Sequence, residues 1–168
     1  MKTKKLFVAL FASLVIASSA SAFDGATFWK EYGGGIKNGT SVINVGAALP
    51  DFGWIVPPIT ASYERAVHIN NMLPFTFGAQ ASFSLRQGGY SYLSVDALAK
   101  YHFNFGVEQL DVYGGLLVGP QLQFNDGLHF WFDYGLFVGA GWYFNDKFGV
   151  VVETGYPYWL NAKFSIKF

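Results

Sequence analysis

Three histidines, His68, His102 and His129, are the side chains of this 168-residue chain best suited to moving protons near neutral pH. Acyl chemistry would need such a base beside a hydroxyl nucleophile and an orienting acid. Only His129 falls at the opposite end of the strand pattern from the other two, with Asp133 four residues on and on the same face. The serines nearest its end of the pattern, Ser84 and Ser91, fall on opposite faces, and no His-x-Ser pair occurs. Three histidines scattered over three segments lack the spacing of metal ligands, and the chain has no cysteine. Gly33-Gly34-Gly35 is not followed by the Lys-Ser/Thr pair of a phosphate loop. No catalytic residue, metal or cofactor is expected.

The second group with chemical potential is a set of carboxylates and lysines that share one strand face: Glu64, Asp96, Lys100, Asp111, Asp133, Glu153 and Lys163. If that face is enclosed, these charges must neutralise one another, because an unpaired buried charge is costly. A turn centred on Phe105-Gly106 sets Lys100 opposite Asp111. A turn centred on Pro157 sets Glu153 opposite Asn161, one diagonal step from Lys163. A connected network of Glu64, Asp96, Lys100, Asp111, Glu153 and Lys163 is therefore expected. It would act either as a plug or as an electrostatic gate.

Composition narrows the setting. Charged residues make up 13% and aromatic residues 20% of the chain, the reverse of a disordered polyelectrolyte. A formal net charge of zero and the lack of a basic-aromatic stripe argue against nucleic-acid binding. Lys2, Lys4 and Lys5 precede an apolar run, Leu6 to Ala17, and then Ala20-Ser21-Ala22. That order reads as a secretory signal peptide, residues 1–22, cleaved after Ala22. An N-terminal segment, 23–39, and a barrel, 40–168, follow it.

The remaining chain alternates. Phe75, Phe77, Ala79, Ala81, Phe83 and Leu85 share one face, and Thr76, Gly78, Gln80, Ser82 and Ser84 share the other. Turn residues such as Pro50-Asp51, Pro57-Pro58, Asn70-Asn71, Gly88-Gly89, Asn104, Asn125-Asp126-Gly127, Asn145-Asp146 and Tyr156-Pro157 divide the pattern. Eight strands result, at about 41–49, 58–68, 73–85, 90–103, 109–124, 128–144, 147–156 and 157–168. Short connections make neighbours antiparallel, so the chain is expected to be an all-β, eight-stranded, antiparallel up-and-down barrel.

Charge placement decides which face is inside. The apolar face carries Arg65 as its charged residue, while the polar face carries the seven carboxylates and lysines named above with Lys147 and Lys167. A soluble surface would hold more charge than that face does. The narrow lumen of an eight-stranded barrel would hold this mixture, with glycines making room beside Tyr113, Trp131, Phe137, Tyr143 and Trp159. Two aromatic belts are expected on the outside. Tyr101, Phe103, Trp142, Phe144, Phe148 and Phe168 lie towards one end, and Phe83, Phe124, Phe130, Phe132 and Tyr158 towards the other.

With this pattern the chain resembles small bacterial outer-membrane β-barrels of the OmpA-transmembrane-domain, OmpX and OmpW type. The most specific stretches are Phe164-Ser-Ile-Lys-Phe168, Gly141-Trp-Tyr-Phe-Asn-Asp146 and Val152-Glu-Thr-Gly155. The resemblance implies a transmembrane barrel in the outer membrane, surrounded by its lipid. It also implies Phe164, Ile166 and Phe168 as the signal read by the barrel assembly machinery. A structural or porin-like role follows first, a narrow channel for small or hydrophobic solutes second, and a lipid-A-modifying enzyme third. The short outer loops, about 50–57, 86–89, 125–127 and 156–157, depart from the family and weaken an adhesin role. Pro120 is expected to cause a bulge or an early end to pairing. Arg65 is expected to snorkel at the inner interface.

Overall fold

The computed structural model describes residues 36–49, 54–69, 73–103, 105–125 and 127–168. The expected signal peptide, most of the N-terminal segment, and the turn positions Pro50-Asp51, Asn70-Asn71, Asn104 and Asp126 lie outside these residues. Eight strands follow in order: β1 Ser41–Leu49, β2 Trp54–Ile69, β3 Leu73–Arg86, β4 Tyr90–Phe103, β5 Leu110–Phe124, β6 Leu128–Tyr143, β7 Phe148–Gly155 and β8 Leu160–Lys167. Each pairs antiparallel with the next, and β1 pairs with β8, so the sheet is a closed up-and-down barrel. Among the described residues no helix is long and apolar enough to cross a membrane.

The wall follows the period of the sequence. Burial alternates along β3 and β8, with the polar members of each pair inside. Among the described residues buried polar side chains outnumber buried apolar ones, and Leu136 (73% exposed), Phe132 (67%) and Phe130 (65%) stand outside. This inverts the usual globular arrangement. Gly88 and Gly89 make the β3–β4 turn at φ +91° and +80°, which glycine adopts without strain.

Several sequence expectations need correction. β2 begins at Trp54 and runs through Pro57-Pro58, where a turn was expected. The prolines are tolerated because the β2–β3 register shifts there and β1 no longer pairs beyond Ile59. Pro120 neither bulges nor ends β5. The β4–β5 ladder skips the rows between Ser94↔Gln121 and Ala97↔Val118 and then resumes in the same register. The β4–β5 turn centres two residues later than expected, since Phe103 pairs with Val112. Lys100 therefore lies opposite Gly115, and Asp111 opposite Gly141. Glu153 lies opposite Asn161.

The end of the barrel carrying turns 87–89 and 156–159 is called the outer end below, and that carrying 144–147 the inner end. The wall is uneven at the outer end. β6 runs down from Leu128, but its pairing with β7 begins only at Phe137↔Gly155.

Candidate functional site: the packed lumen

Lys100 of β4 stands at the middle of the lumen. Its Nζ donates to Glu64 Oε1 at 2.8 Å and to Glu153 Oε1 at 3.1 Å, and it lies 4.3 Å from the centre of the Tyr113 ring. Glu153 is held on its other oxygen by Lys163 Nζ at 2.6 Å, and Tyr113 donates to its Oε1 at 2.7 Å. Lys163 also donates to Gln80 Oε1 at 2.7 Å. Glu64 Oε1 accepts from Asn44 at 2.8 Å and Ser62 at 3.1 Å, and its Oε2 accepts from Thr76 at 2.9 Å. His102 extends the cluster towards the inner end, with Nδ1 2.7 Å from Asp111 Oδ1 and Nε2 3.1 Å from Thr76 Oγ1.

Seven strands thus contribute a polar group. β6 contributes space. Its Gly139 pairs with Tyr113, and a Cβ there would stand 2.5–2.7 Å from the far end of the Tyr113 ring. Gly115 of β5 does the same for the Phe137 ring. Because Tyr113 is buried and tied to Glu153, its ring cannot swing away. Gly139→Ala is expected to lower stability by about 1–3 kcal/mol through overpacking. Urea unfolding followed by gel mobility checks this. Gly127→Ala, at a position where a Cβ would meet only His129 Nε2 at 4.0 Å, is the control, expected within about 0.5 kcal/mol of the parent.

The sequence-predicted residues separate into groups. Glu64, Lys100, Asp111, Glu153 and Lys163 join one network, with Asp111 entering through His102 rather than through Lys100. Asp96 is not part of it. It sits nearer the outer end, where Tyr158 donates to Ser82 at 2.6 Å, Ser82 meets Ser94 at 2.7 Å, and Ser94 donates to Asp96 Oδ2 at 2.8 Å. Asp133 stands apart as well, accepting from the Tyr134 amide at 2.9 Å. Tyr158, expected in the outer aromatic belt, turns inward because it belongs to the 156–159 turn, where strand alternation no longer holds. Burial pushes its phenol up to about 12, so it remains a proton donor to Ser82. Phe164, Ile166 and Phe168 share the outer face of the β8 segment, with Phe164 and Phe168 exposed.

Sequence reasoning passed over His102, Thr76, Asn44 and Tyr113 as network members. The signal was available for His102, two residues after Lys100 and so on the same face. Asp111, His102 and Thr76 form an acid–imidazole–hydroxyl series, but Thr76 is 0% exposed and its hydroxyl donates to Glu64. The series is a brace with no space for a substrate beside it. His68 hydrogen-bonds the Ile36 carbonyl at 2.8 Å, and His129 is exposed at the outer end.

Little space remains along the axis. A void of about 10 Å³, lined by Gln80, Phe137, Glu153, Tyr158 and Asn161 among others, has room for one water at most. Towards the inner end Lys167 Nζ lies 3.4 Å from the centre of the Tyr143 ring, and the Tyr143 hydroxyl meets Ser165 at 2.9 Å. A cavity of about 500 Å³ begins below them, lined by Lys37, Glu108, Lys147 and Lys167 with their neighbours.

No protein-family model and no curated protein sequence matches the chain. Several chains of solved structures are similar to it, among them the following two. One is Neisserial surface protein A, at 16% identity and a TM-score of 0.44, covering 77% of this chain and 95% of that one. The other is the N-terminal β-barrel domain of Pseudomonas aeruginosa OprF, at 15% identity and a TM-score of 0.46, covering 78% of this chain and 97% of that one.

Proposed function

We propose that the chain is an integral protein of a bacterial outer membrane, with a structural role and a bore closed by its own side chains. The observation that carries this reading is the inversion of polarity. An apolar wall faces outward around a closed ring of strands, and a hydrogen-bonded ionic cluster fills the inside. A closed barrel satisfies its backbone within the wall, the condition for crossing a bilayer with strands. The surrounding partner is outer-membrane lipid. Insertion by the barrel assembly machinery through Phe164, Ile166 and Phe168 belongs to the same reading, supported by their common outward face on β8 beside the β1 seam.

The test is conductance in a planar bilayer, using refolded protein whose folded barrel is verified by heat-modifiable gel mobility. No steady unitary current is expected, since Lys100, Tyr113, Glu153 and Lys163 occupy the axis. A steady current that changes on neutralising Lys100 would overturn the closed reading in favour of a narrow solute channel.

A further inference from the structure

We propose that the outer half of the lumen contains a binding site for a hard divalent cation, built on Asp96 of β4 and Asp133 of β6. The three inner carboxylates, Glu64, Asp111 and Glu153, each meet a lysine or histidine within 3.1 Å. Among the described residues Asp96 and Asp133 meet none. Asp96 is 2% exposed, and its Oδ1 has no hydrogen-bond partner while Ser94 occupies Oδ2. A buried carboxylate oxygen left without a donor is costly unless a proton or a cation neutralises it.

The backbone is arranged around that oxygen. Gly119 of β5 pairs with Asp133 on one side and lies against Asp96 on the other. A Cβ at Gly119 would stand 2.9 Å from Asp96 Oδ1 and 2.6 Å from Asp96 Cα. Its absence lets the Asp96 carboxylate lie over β5 in the direction of Asp133. The β4–β5 ladder is interrupted in this same place, next to Pro120, which has no amide hydrogen to give. The hydroxyl series from Tyr158 through Ser82 to Ser94 fixes the Asp96 rotamer from the other side.

The available donors are oxygens. Gln121, one row above on the same face of β5, pairs with Ser94 and with Trp131. Two carboxylates with amide oxygen and water suit calcium or magnesium rather than a soft metal. No group of three or more acidic, histidine or cysteine side chains forms among the described residues. Affinity in the range of about 10⁻⁴–10⁻³ M is therefore expected. Access is from the outer end, where Asp133 is half-buried and β6 rises beyond its last pair with β7.

Trp131, two residues from Asp133 on the same face, supplies an optical reporter. Terbium is titrated into the refolded full chain in a zwitterionic detergent free of phosphate and lipid A, with tryptophan excitation. Saturable sensitised emission is expected, displaced by calcium. Asp96→Asn and Asp133→Asn are each expected to weaken binding by about tenfold or more, the loss of one of two ligand charges. Both are isosteric, and heat-modifiable mobility verifies that they fold. Trp131→Phe is expected to lower the emission while leaving calcium affinity by calorimetry unchanged. The site is overturned by the absence of saturable binding, or by an affinity that neither Asn variant alters. The measurement is made in micelles, so its failure leaves the membrane reading standing, and a conducting barrel leaves the cation site standing.

Discussion

Replacing Lys100 with methionine is expected to lower the unfolding free energy by about 3–5 kcal/mol, the cost of leaving a buried partner charge uncompensated. The ammonium bridges Glu64 and Glu153, and all three side chains are nearly or fully buried. Glu153 retains Lys163 at 2.6 Å after the change, so the loss falls mainly on Glu64. That asymmetry makes the companion variant informative. Lys100→Met with Glu64→Gln removes one positive and one negative charge together. It keeps an amide oxygen for Asn44 and Ser62 to donate to, and is expected to recover more than half of the loss. Replacing a buried pair is generally much less harmful than breaking it. Lys147→Met, at an exposed turn position, is expected to stay within about 0.5 kcal/mol of the parent. Equilibrium urea unfolding in lipid vesicles, read by gel mobility, gives all three values. A loss below about 1 kcal/mol for Lys100→Met would mean that the ammonium does not hold the centre of the lumen.

A second large effect is expected on the outer wall. Leu116 is 48% exposed, lies in the middle of β5, and pairs with Ala99 and Leu136. Leu116→Arg is expected to cost about 2–4 kcal/mol in phosphatidylcholine vesicles, the price of a cation near the bilayer midplane. Phe144→Arg, in the turn after β6, is expected to cost only about 0–1 kcal/mol, because its side chain reaches the interface. The depth dependence carries the information. Equal costs at both positions would place Leu116 outside hydrocarbon and would remove the membrane-spanning reading.

The wall was legible because its period is two and its two faces differ in kind. Phe75 to Leu85 alone gives the orientation of β3, and the sparse charge of the alternate face gives the inside. The β7–β8 register was legible too, since a short turn leaves few ways to place Glu153 against Asn161. The β4–β5 register was not. Its turn spans about six residues, and alternation does not count turn residues. Centring the hairpin two residues early moved the residue opposite Lys100 by four, from Gly115 to Asp111. The true partners of Lys100 come from β2 and β7, which no local pattern links to β4. Tyr158 was misplaced because side-chain parity ends where the strand ends. Asp133 lies on the part of β6 that has no β7 opposite it, so no facing strand supplies it with a partner.

The seam between β1 and β8 brings Val42 beside Lys167 and Asn44 beside Ser165, joining the two ends of the ordered sheet. Contacts of such long sequence separation form late and slow a folding reaction. The ionic cluster shares this dependence, because Lys100 on β4 must reach both Glu64 on β2 and Glu153 on β7, and Lys163 on β8 must reach Gln80 on β3. A sheet that has not yet closed therefore holds acids and amines without their counterparts, and a strand that slips by one residue turns Lys100 and His102 out onto the apolar outer face. Mispaired intermediates are penalised on both counts. The cluster thus acts as a checkpoint on assembly: its charges are reconciled only when every strand has arrived in register, which makes ring closure and correct pairing a single cooperative event.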